Sequence, residues 1–455
     1  EGFVELASRL KAGPLLVRLV RGNGGVAGAG PVPMEELEAI GRGRPLPDPP
    51  GPEDIAAICY TSGTMGRAKG VVLTHSNICS VINQMLRLVD LRRDDVFLSV
   101  LPVHHTYECT CGLLAPMHMQ ATVAFCRGLR HVAEDLAGSG ATVMLGVPLL
   151  WESMYRRVID GIKGRRGGAL RLAFGTAASR VLGLFGREGD RRRLLAPLHR
   201  RLGGRVRLFV SGGAAQDPLV SRGFRDLGFD FIQGYGLTEA SPLIAVNRET
   251  AFRDSSVGLP LPDMDVRIDD PDGEGNGEIV VRGPNVMVGY HEDPEETRAV
   301  LRDGWLHTGD LGHFDRDGFL YVTGRKKNVI IAKNGKNVYP EELEVVLTRS
   351  ALISEAMVFG RQSASKGEEI AAVVVADTEA LIGALESSGR RLSREIAAEL
   401  LRGEIRSFNQ SQPAFKRIAS FVIFEGELPR TTTRKIRRRD VLREVGLAPG
   451  ESFGV

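Results

Sequence analysis

Lys69 stands in YTSGTMGRAKGVVLTH, residues 60–75, among glycines, threonines and a serine. Gly63, Gly66 and Gly70 let backbone approach a ligand without Cβ clashes. Thr61, Ser62 and Thr64 supply hydroxyls, backbone amides supply further donors, and Lys69 supplies a positive charge. A loop of this kind can cradle a polyphosphate. A Walker A loop needs Gly directly before the lysine and Ser or Thr after it. The order here is Ala68-Lys69-Gly70, which removes the P-loop kinase and ATPase reading. The plainer alternative is a Gly/Thr-rich surface turn.

Other stretches add chemistry of the same kind. GYGLTEASP carries Tyr235, whose flat face could stack on a base, followed by Thr238 and Glu239. Glu239 offers the hard oxygen that Mg²⁺ favours. SGGAA, residues 211–215, is bare backbone that could border a purine. HTGD presents Asp310, a natural acceptor for two ribose hydroxyls, and TGRKKNVI presents Arg325. Read singly, Asp310 is a turn or cap residue and Arg325 a surface ion-pair partner.

Composition bounds these readings. At 455 residues the chain can hold two or three domains and a large core. Its 59 basic and 56 acidic residues nearly balance, which argues against a dedicated nucleic-acid binder. No run of 18 apolar residues offers a transmembrane helix. The first residues, EGFVELASRLKAG, lack an initiating Met and a signal-peptide pattern, so a start inside a longer protein is expected. All five cysteines lie between Cys59 and Cys126. They read as reduced thiols of a cytosolic protein. Cys109 and Cys111 lie near His104, His105 and His118 but lack the paired spacing of a zinc site.

The elements that must position these residues follow a strand-then-helix rhythm. GNGGVAG mimics a dinucleotide fingerprint, but Pro31 and Pro33 stand where its helix would begin. DIAAICY reads as a strand, and SNICSVINQMLRLV places Ile78, Val81, Ile82, Met85 and Val89 on one helical face. DVFLSVLPV, ATVAFC, ATVMLGV, RVRLFVSGGAA and FDFIQGYGLTEA read as strands, and PLLWESMYRRVIDGI as a helix opened by Pro148. This alternation predicts an α/β fold with a doubly wound, mainly parallel sheet. Ligands then bind beyond the carboxyl ends of the strands, where the Gly-rich turns after Tyr60, Val210 and Gln233 are expected. From Val257 to Tyr321 short strands and tight turns predict a small antiparallel β unit. After Arg325 the pattern is mixed again, so a boundary is placed at Lys326–Lys327: residues 1–326 form a large N-terminal domain and 327–455 a small α+β one. The basic stretch 161–207, with the apolar RVLGLFG, reads as a solvated surface helix or a peripheral membrane contact.

Taken together, YTSGTMGRAKG, LPVHHTYE, SGGAA, GYGLTE, GWLHTGD, GRKKNVIIAKNGKNVYPEELE and PRTTTRKIRRR resemble the adenylate-forming superfamily. Within it, the long spacer between LPVHHTYE and SGGAA is most similar to bacterial long-chain fatty-acid–CoA ligases. The resemblance covers roughly residues 52–440 and implies activation of a fatty acid by ATP to an acyl-adenylate, then transfer to CoA. It implies that Thr61, Ser62, Gly63, Thr64, Gly66 and Lys69 hold the β- and γ-phosphates. Gly213 and Ala214 would border the adenine, and Tyr235, between Gly234 and Gly236, would stack on it. Thr238 would contact the α-phosphate, Glu239 with Thr64 would hold Mg²⁺, and Asp310 and Arg325 would hold the ribose. His105 would lie on the acyl side; a satisfied core histidine is its alternative. Lys327 would be the hinge. Lys435 would be the catalytic lysine that reaches the carboxylate and α-phosphate.

The chain departs from the family pattern at three places. Met65 replaces a hydroxyl residue of the phosphate loop, and Arg434 replaces a glycine before Lys435. Only 59 residues precede Tyr60, where the family carries well over a hundred. That difference predicts exposed apolar surface on the first subdomain. Three rival functions remain: delivery of the acyl group to a carrier protein, non-catalytic nucleotide or acyl binding, and a membrane-surface scaffold built on 161–207. Fatty acid, ATP and CoA are the expected small-molecule partners, and the expected location is cytoplasmic, with a peripheral place at the inner membrane face. The sequence is silent on acyl chain length and oligomeric state.

Overall fold

The structure, a computed structural model, describes residues 17–18, 32–33, 39, 42–43, 45, 48–62, 68–164, 168–184, 193–362, 368–385, 391–431 and 435–447. The chain divides into two compact units, Glu1–Gly51 and Pro52–Val455. Of the first, the described residues include a two-residue parallel pairing of Val17–Arg18 with Val32–Pro33. Everything below concerns the second.

β1 (Ile55–Ser62) and β2 (Ala68–Thr74) pair antiparallel, and Thr74 ends β2 by capping α1 (His75–Leu86). The cap is reciprocal. The Thr74 hydroxyl accepts from the Asn77 amide at 3.2 Å, and the Asn77 side chain accepts from the Thr74 amide at 2.9 Å. Val81, Ile82 and Met85 are buried on the predicted face, and Val89 is buried beyond the helix end. This region corrects one expectation. The phosphate-loop candidate joins two antiparallel strands as a hairpin and does not follow a strand of the parallel sheet. AKGVVLT carries a strand because Val71, Val72 and Leu73 are all buried, a continuous apolar run too short to show a period.

The large sheet contains β3 (Val96–Ser99), β4 (Thr122–Phe125), β5 (Val143–Gly146), β6 (Leu208–Ser211), β7 (Asp230–Tyr235), β8 (Ala245–Val246) and β9 (Leu259–Pro260). Their order is β4-β3-β5-β6-β7-β8-β9. The first five are parallel, and β8 and β9 add antiparallel. Alternate residues of each parallel strand enter two different cores. Val143, Leu145, Leu208 and Ile232 join the α1 side. Met144, Phe209 and Phe231 join Trp151 of α2 (Pro148–Lys163) and Phe224 of α4 (Pro218–Asp226). Trp151 lies 4.9 Å from Phe209 and Phe224 stacks on Phe231 at 5.4 Å, centroid to centroid. Burial on both faces is why these strands read as uninterrupted apolar runs. The order reverses between β3 and β5, the switch point at which such sheets open a crevice.

Between α2 and α4 runs α3 (Gly168–Leu184). There Arg180 pairs with Asp226 at 2.6 Å, and Phe174 and Val181 are exposed. The rest of the apolar stretch, beyond Leu184, lies outside the described residues. Ile55, Ile58, Tyr60 and Phe125 are also exposed. No helix among the described residues is long and apolar enough to cross a membrane.

The β unit holds β10 (Asp265–Asp269), β11 (Gly277–Arg282), β13 (Leu301–Arg302), β14 (Trp305–Phe314) and β15 (Leu320–Arg325), all antiparallel. β12 (Gly289–Tyr290) joins β2 instead, and α5 (Pro294–Val300) follows it.

Beyond Arg325 come β16 (Ile330–Ile331), β17 (Asn337–Val338), α6 (Pro340–Leu347), β18 (Ile353–Gln362), β19 (Glu368–Ala376), α7 (Arg394–Ser411), β20 (Ser420–Phe424) and α8 (Arg438–Glu444). β18 pairs antiparallel and β20 parallel with β19. Leu343, Leu401, Ile405 and Phe408 pack on one face of this sheet, and Val441 with Leu428 on the other. It is a smaller α+β lobe with cores of its own.

Candidate active site

The carboxyl ends of the parallel strands face a cleft of about 2180 Å³ between the large sheet, the β unit and the C-terminal lobe. His105 follows β3, Gly213 and Ala214 follow β6, and Tyr235 ends β7. Asp310 comes from β14, Arg325 ends β15, and Lys435 reaches in from the segment before α8.

Asp310 is buried at 5% exposure and anchors a network. The Tyr235 hydroxyl donates to its Oδ2 at 2.8 Å, and Arg325 Nε lies 2.5 Å from its Oδ1. Asp310 and Arg325 face each other in the β14–β15 register, so this pair is built into the sheet. Burial and Asp310 raise the Tyr235 hydroxyl well above the usual tyrosine value, so it stays a donor. A carboxylate offers about four lone-pair directions. These two partners use one on each oxygen and leave one on each, which matches two vicinal hydroxyls.

Gly236 cannot be replaced sterically. A Cβ there would lie 1.7 Å from the Pro242 carbonyl oxygen. Gly234 is more tolerant: a Cβ there would meet the Leu243 side chain at 3.0 Å. Gly213 has φ +87°, the left-handed region, and both it and Ala214 are exposed to the cleft.

Glu239 Oε1 accepts from the Tyr290 hydroxyl at 2.8 Å. Thr238 sits 3.5 Å, oxygen to oxygen, from the buried Thr106 hydroxyl. Sequence reasoning missed Tyr290 and Thr106. Thr106 follows His105 in LPVHHTYE, which was a usable signal; VMVGYHEDP carried none for Tyr290.

Lys435 is held by a small hairpin. Its amide donates to Thr431 Oγ1 at 3.1 Å, the Thr431 amide donates to its carbonyl at 2.9 Å, and Arg430 bridges Ile436. Its side chain is open to solvent within the cleft. Desolvation by the surrounding walls and the Arg325 charge push its ammonium below the usual lysine value, while Asp310 and Glu239 pull it up. His105 is half-buried, and burial with the Lys435 charge takes it down to about 4, so it is neutral at pH 7.

Thr61, Lys69 and Lys327 also line the cleft. Lys69 pairs with Glu296 of α5 and lies over the Tyr290 ring, 5.1 Å from its centroid. Thr61 Oγ1 lies 3.5 Å from the Lys69 carbonyl. The side chain of Ser62, together with Gly63, Thr64, Met65, Gly66 and Arg434, lies outside the described residues. Lys327 is exposed at the cleft edge, its ammonium lowered by desolvation and by Arg325 and Arg439. The five cysteines are free thiols, and burial pushes Cys111 up to about 12.

A cleft beyond the carboxyl ends of the parallel strands, lined by an aromatic ring, a buried carboxylate and a lysine from a second lobe, is the arrangement of an α/β protein that binds its ligand at the strand ends. The chain belongs to the AMP-binding enzyme family: that family's model matches residues 17–291, and the model of its C-terminal domain matches 327–445. It is 34% identical to a long chain acyl-CoA synthetase 6, peroxisomal, of Arabidopsis thaliana over 77% of this chain and 52% of the relative. It is 33% identical to human long-chain-fatty-acid–CoA ligase 1 over 78% and 53%. With the FadD15 long-chain-fatty-acid–CoA ligase of Mycobacterium tuberculosis the identity is 34%, over 72% and 56%. The chain thus spans about half the length of the curated relatives it matches. Among solved structures it resembles ATP-bound MatB from Rhodopseudomonas palustris, with 28% identity, a TM-score of 0.65, and 87% of this chain and 69% of that one covered.

Proposed function

We propose that this chain activates a long-chain fatty acid with ATP and passes the acyl group to CoA. The observation that carries the reading is the convergence of Lys435, Arg325, Asp310, Tyr235 and Glu239 on one cleft. Part of the wall of that cleft is apolar: Met85, Phe97, Val143, Leu145, Ile232 and Leu243 line it, a surface suited to an alkyl chain. The family match and the relatives named for long-chain acids support the same class.

In the first step a carboxylate oxygen attacks the α-phosphorus. The P–O bond to the β-phosphate breaks and pyrophosphate leaves with the electron pair. An anion must approach a polyanion, so cations have to offset the repulsion. Lys435 stands where it can serve both the carboxylate and the α-phosphate, with Arg325 beside it. Asp310 orients the ribose through its free lone pairs, and Tyr235 stacks on the adenine beside Gly213 and Ala214. In the second step the CoA sulfur, having lost its proton, attacks the acyl carbon and the C–O bond to AMP breaks. In the first step the neutral His105 leaves the acid's carboxylate free to attack, with no ion pair to hold it. Lys435 must then withdraw, and rotation of residues 327–455 about Lys327 would remove it.

The oxygen donors fit Mg²⁺. Glu239 spends one oxygen on Tyr290 and keeps the other, and the Thr238 hydroxyl is adjacent. Glu239 is the residue that would hold the ion, with Thr64 from the phosphate loop. The ion would neutralise phosphate charge. Peripheral membrane contact through the exposed Phe174 and Val181 belongs to the same proposal and is read by co-sedimentation with anionic liposomes.

The test is acid-dependent ATP–pyrophosphate exchange without CoA, from acetate to palmitate. Exchange should require a long-chain acid and fall about 10²–10³-fold in Lys435→Ala. Thioester formation from supplied acyl-adenylate should survive in that variant. CoA should serve as acceptor where a holo-carrier protein does not. A folded chain that binds AMP but shows no exchange with any acid would refute the proposal.

A further inference from the structure

The segment that borders the proposed adenine site continues directly into a contact with the C-terminal lobe. Ser211 and Gln216 tie the two ends of the 211–216 loop together, Oγ to Oε1 at 2.8 Å. The next residue, Asp217, is buried and caps α4 by accepting from the Leu219 amide at 2.9 Å. The same carboxylate takes a bidentate contact from Arg349, which lies just beyond α6 in the other lobe: Nε to Oδ2 and Nη2 to Oδ1, both 3.0 Å. Fork-to-carboxylate geometry of this kind is directional and stronger than a single ion pair. A second, weaker contact crosses the same seam, Arg156 of α2 to Asp377 at 3.4 Å. Glu152 of α2 also faces Asp217, Arg156 and Arg430 there.

We infer that the Asp217–Arg349 clamp couples nucleotide occupancy of the 213–214 loop to docking of the C-terminal lobe, and that Arg349 is a positioning residue for adenylation. The inference rests on the adenylation reading above. The clamp and the entry of Lys435 into the cleft occur together in this structure. A nucleotide that orders the loop also orders Asp217, since Asp217 directly follows the tied end of the loop at Gln216. Ordering Asp217 fixes the acceptor that Arg349 needs. Rotation of the lobe for the second step must break the clamp, so its strength biases the enzyme toward the first step and not the second.

The test uses the full chain with Arg349→Ala and with Asp217→Asn. Asparagine retains the helix cap but not the charge, so a loss in that variant does not reduce to misfolding of α4. Hydrogen exchange followed by mass spectrometry reads lobe docking without requiring activity. Residues 340–351 and 428–437 should exchange faster in both variants, while the β5 and β19 cores stay unchanged. Acid-dependent ATP–pyrophosphate exchange should fall roughly tenfold, whereas thioester formation from supplied acyl-adenylate should not fall. Unchanged hydrogen exchange at 340–351, or equal loss of both half-reactions, would overturn the clamp. Absence of pyrophosphate exchange in the wild type would count against the adenylation reading itself, and hydrogen exchange with and without AMP would then decide the clamp alone.

Discussion

Replacing Tyr235 by Phe removes one hydroxyl and leaves the ring. In the structure that hydroxyl donates to Asp310 Oδ2 at 2.8 Å, and Asp310 is 5% exposed. A hydrogen bond to a charged group contributes about 1.5–3 kcal/mol net. Asp310 keeps Arg325 at 2.5 Å, so the lower end, about 1.5–2 kcal/mol, is expected. For a folded unit of this size that lowers Tm by about 2 °C. The same bond holds the carboxylate plane in the orientation that leaves one lone pair per oxygen for the ribose. KM for ATP in the exchange assay should therefore rise by up to about tenfold, with little change in the maximal rate. Tyr235→Ala should be worse by a further ~1–3 kcal/mol, because it also removes a stacking face. Thermal melts and ATP titrations of the two variants separate these contributions. Wild-type Tm and KM in Tyr235→Phe would refute the reasoning about Asp310. Equal defects in the Phe and Ala variants would refute the stacking role.

Gly236→Ala should abolish exchange and destabilise the chain by about 3 kcal/mol or more, since the new Cβ meets the Pro242 and Leu243 backbone and not a movable side chain. Circular dichroism melts with the exchange assay check it, and a stable, active Gly236→Ala would show that this loop yields. Glu108 supplies a pH dependence. It is 1% exposed, and burial raises its carboxyl from 4.5 to about 7, the Ser99 hydroxyl pulling the other way. A raised folded-state value costs nothing below pH 4.5, and the cost grows as pH rises to 7, reaching at most about 3 kcal/mol. Glu108→Gln should thus melt higher than the wild type at pH 8, and the gain should vanish below pH 4.5. A gain that is the same at both pH values would show that the carboxyl is not the cause.

Much of the scaffold could be read along the chain because its signals are local. β5 is apolar on both faces and α1 repeats its apolar positions at helical spacing, so Val143–Gly146 and Ile78–Met85 announce themselves within a few residues. The candidate residues were legible for a related reason: Tyr235, Glu239, Asp310, Arg325 and Lys435 each sit in a short stretch whose residue types restrict what it can do. Their meeting was not legible. Tyr235 and Asp310 are 75 residues apart, Glu239 and Tyr290 are 51 apart, and Lys435 arrives from another lobe. Tertiary structure also decided that the strands on either side of the phosphate-loop candidate pair antiparallel with each other. β2 lacks a period because Gly70–Thr74 are buried in succession, so only its pairing with β1 reveals it. It decided the partners of Lys69 and Arg349 as well, because an ion pair carries no periodicity and depends only on which surfaces the fold brings face to face. The amino-acid sequence by itself determined which groups this protein can bring to a nucleotide. The tertiary structure determined that they face one cleft, since distance in space is set by strand order and lobe docking and not by distance along the chain.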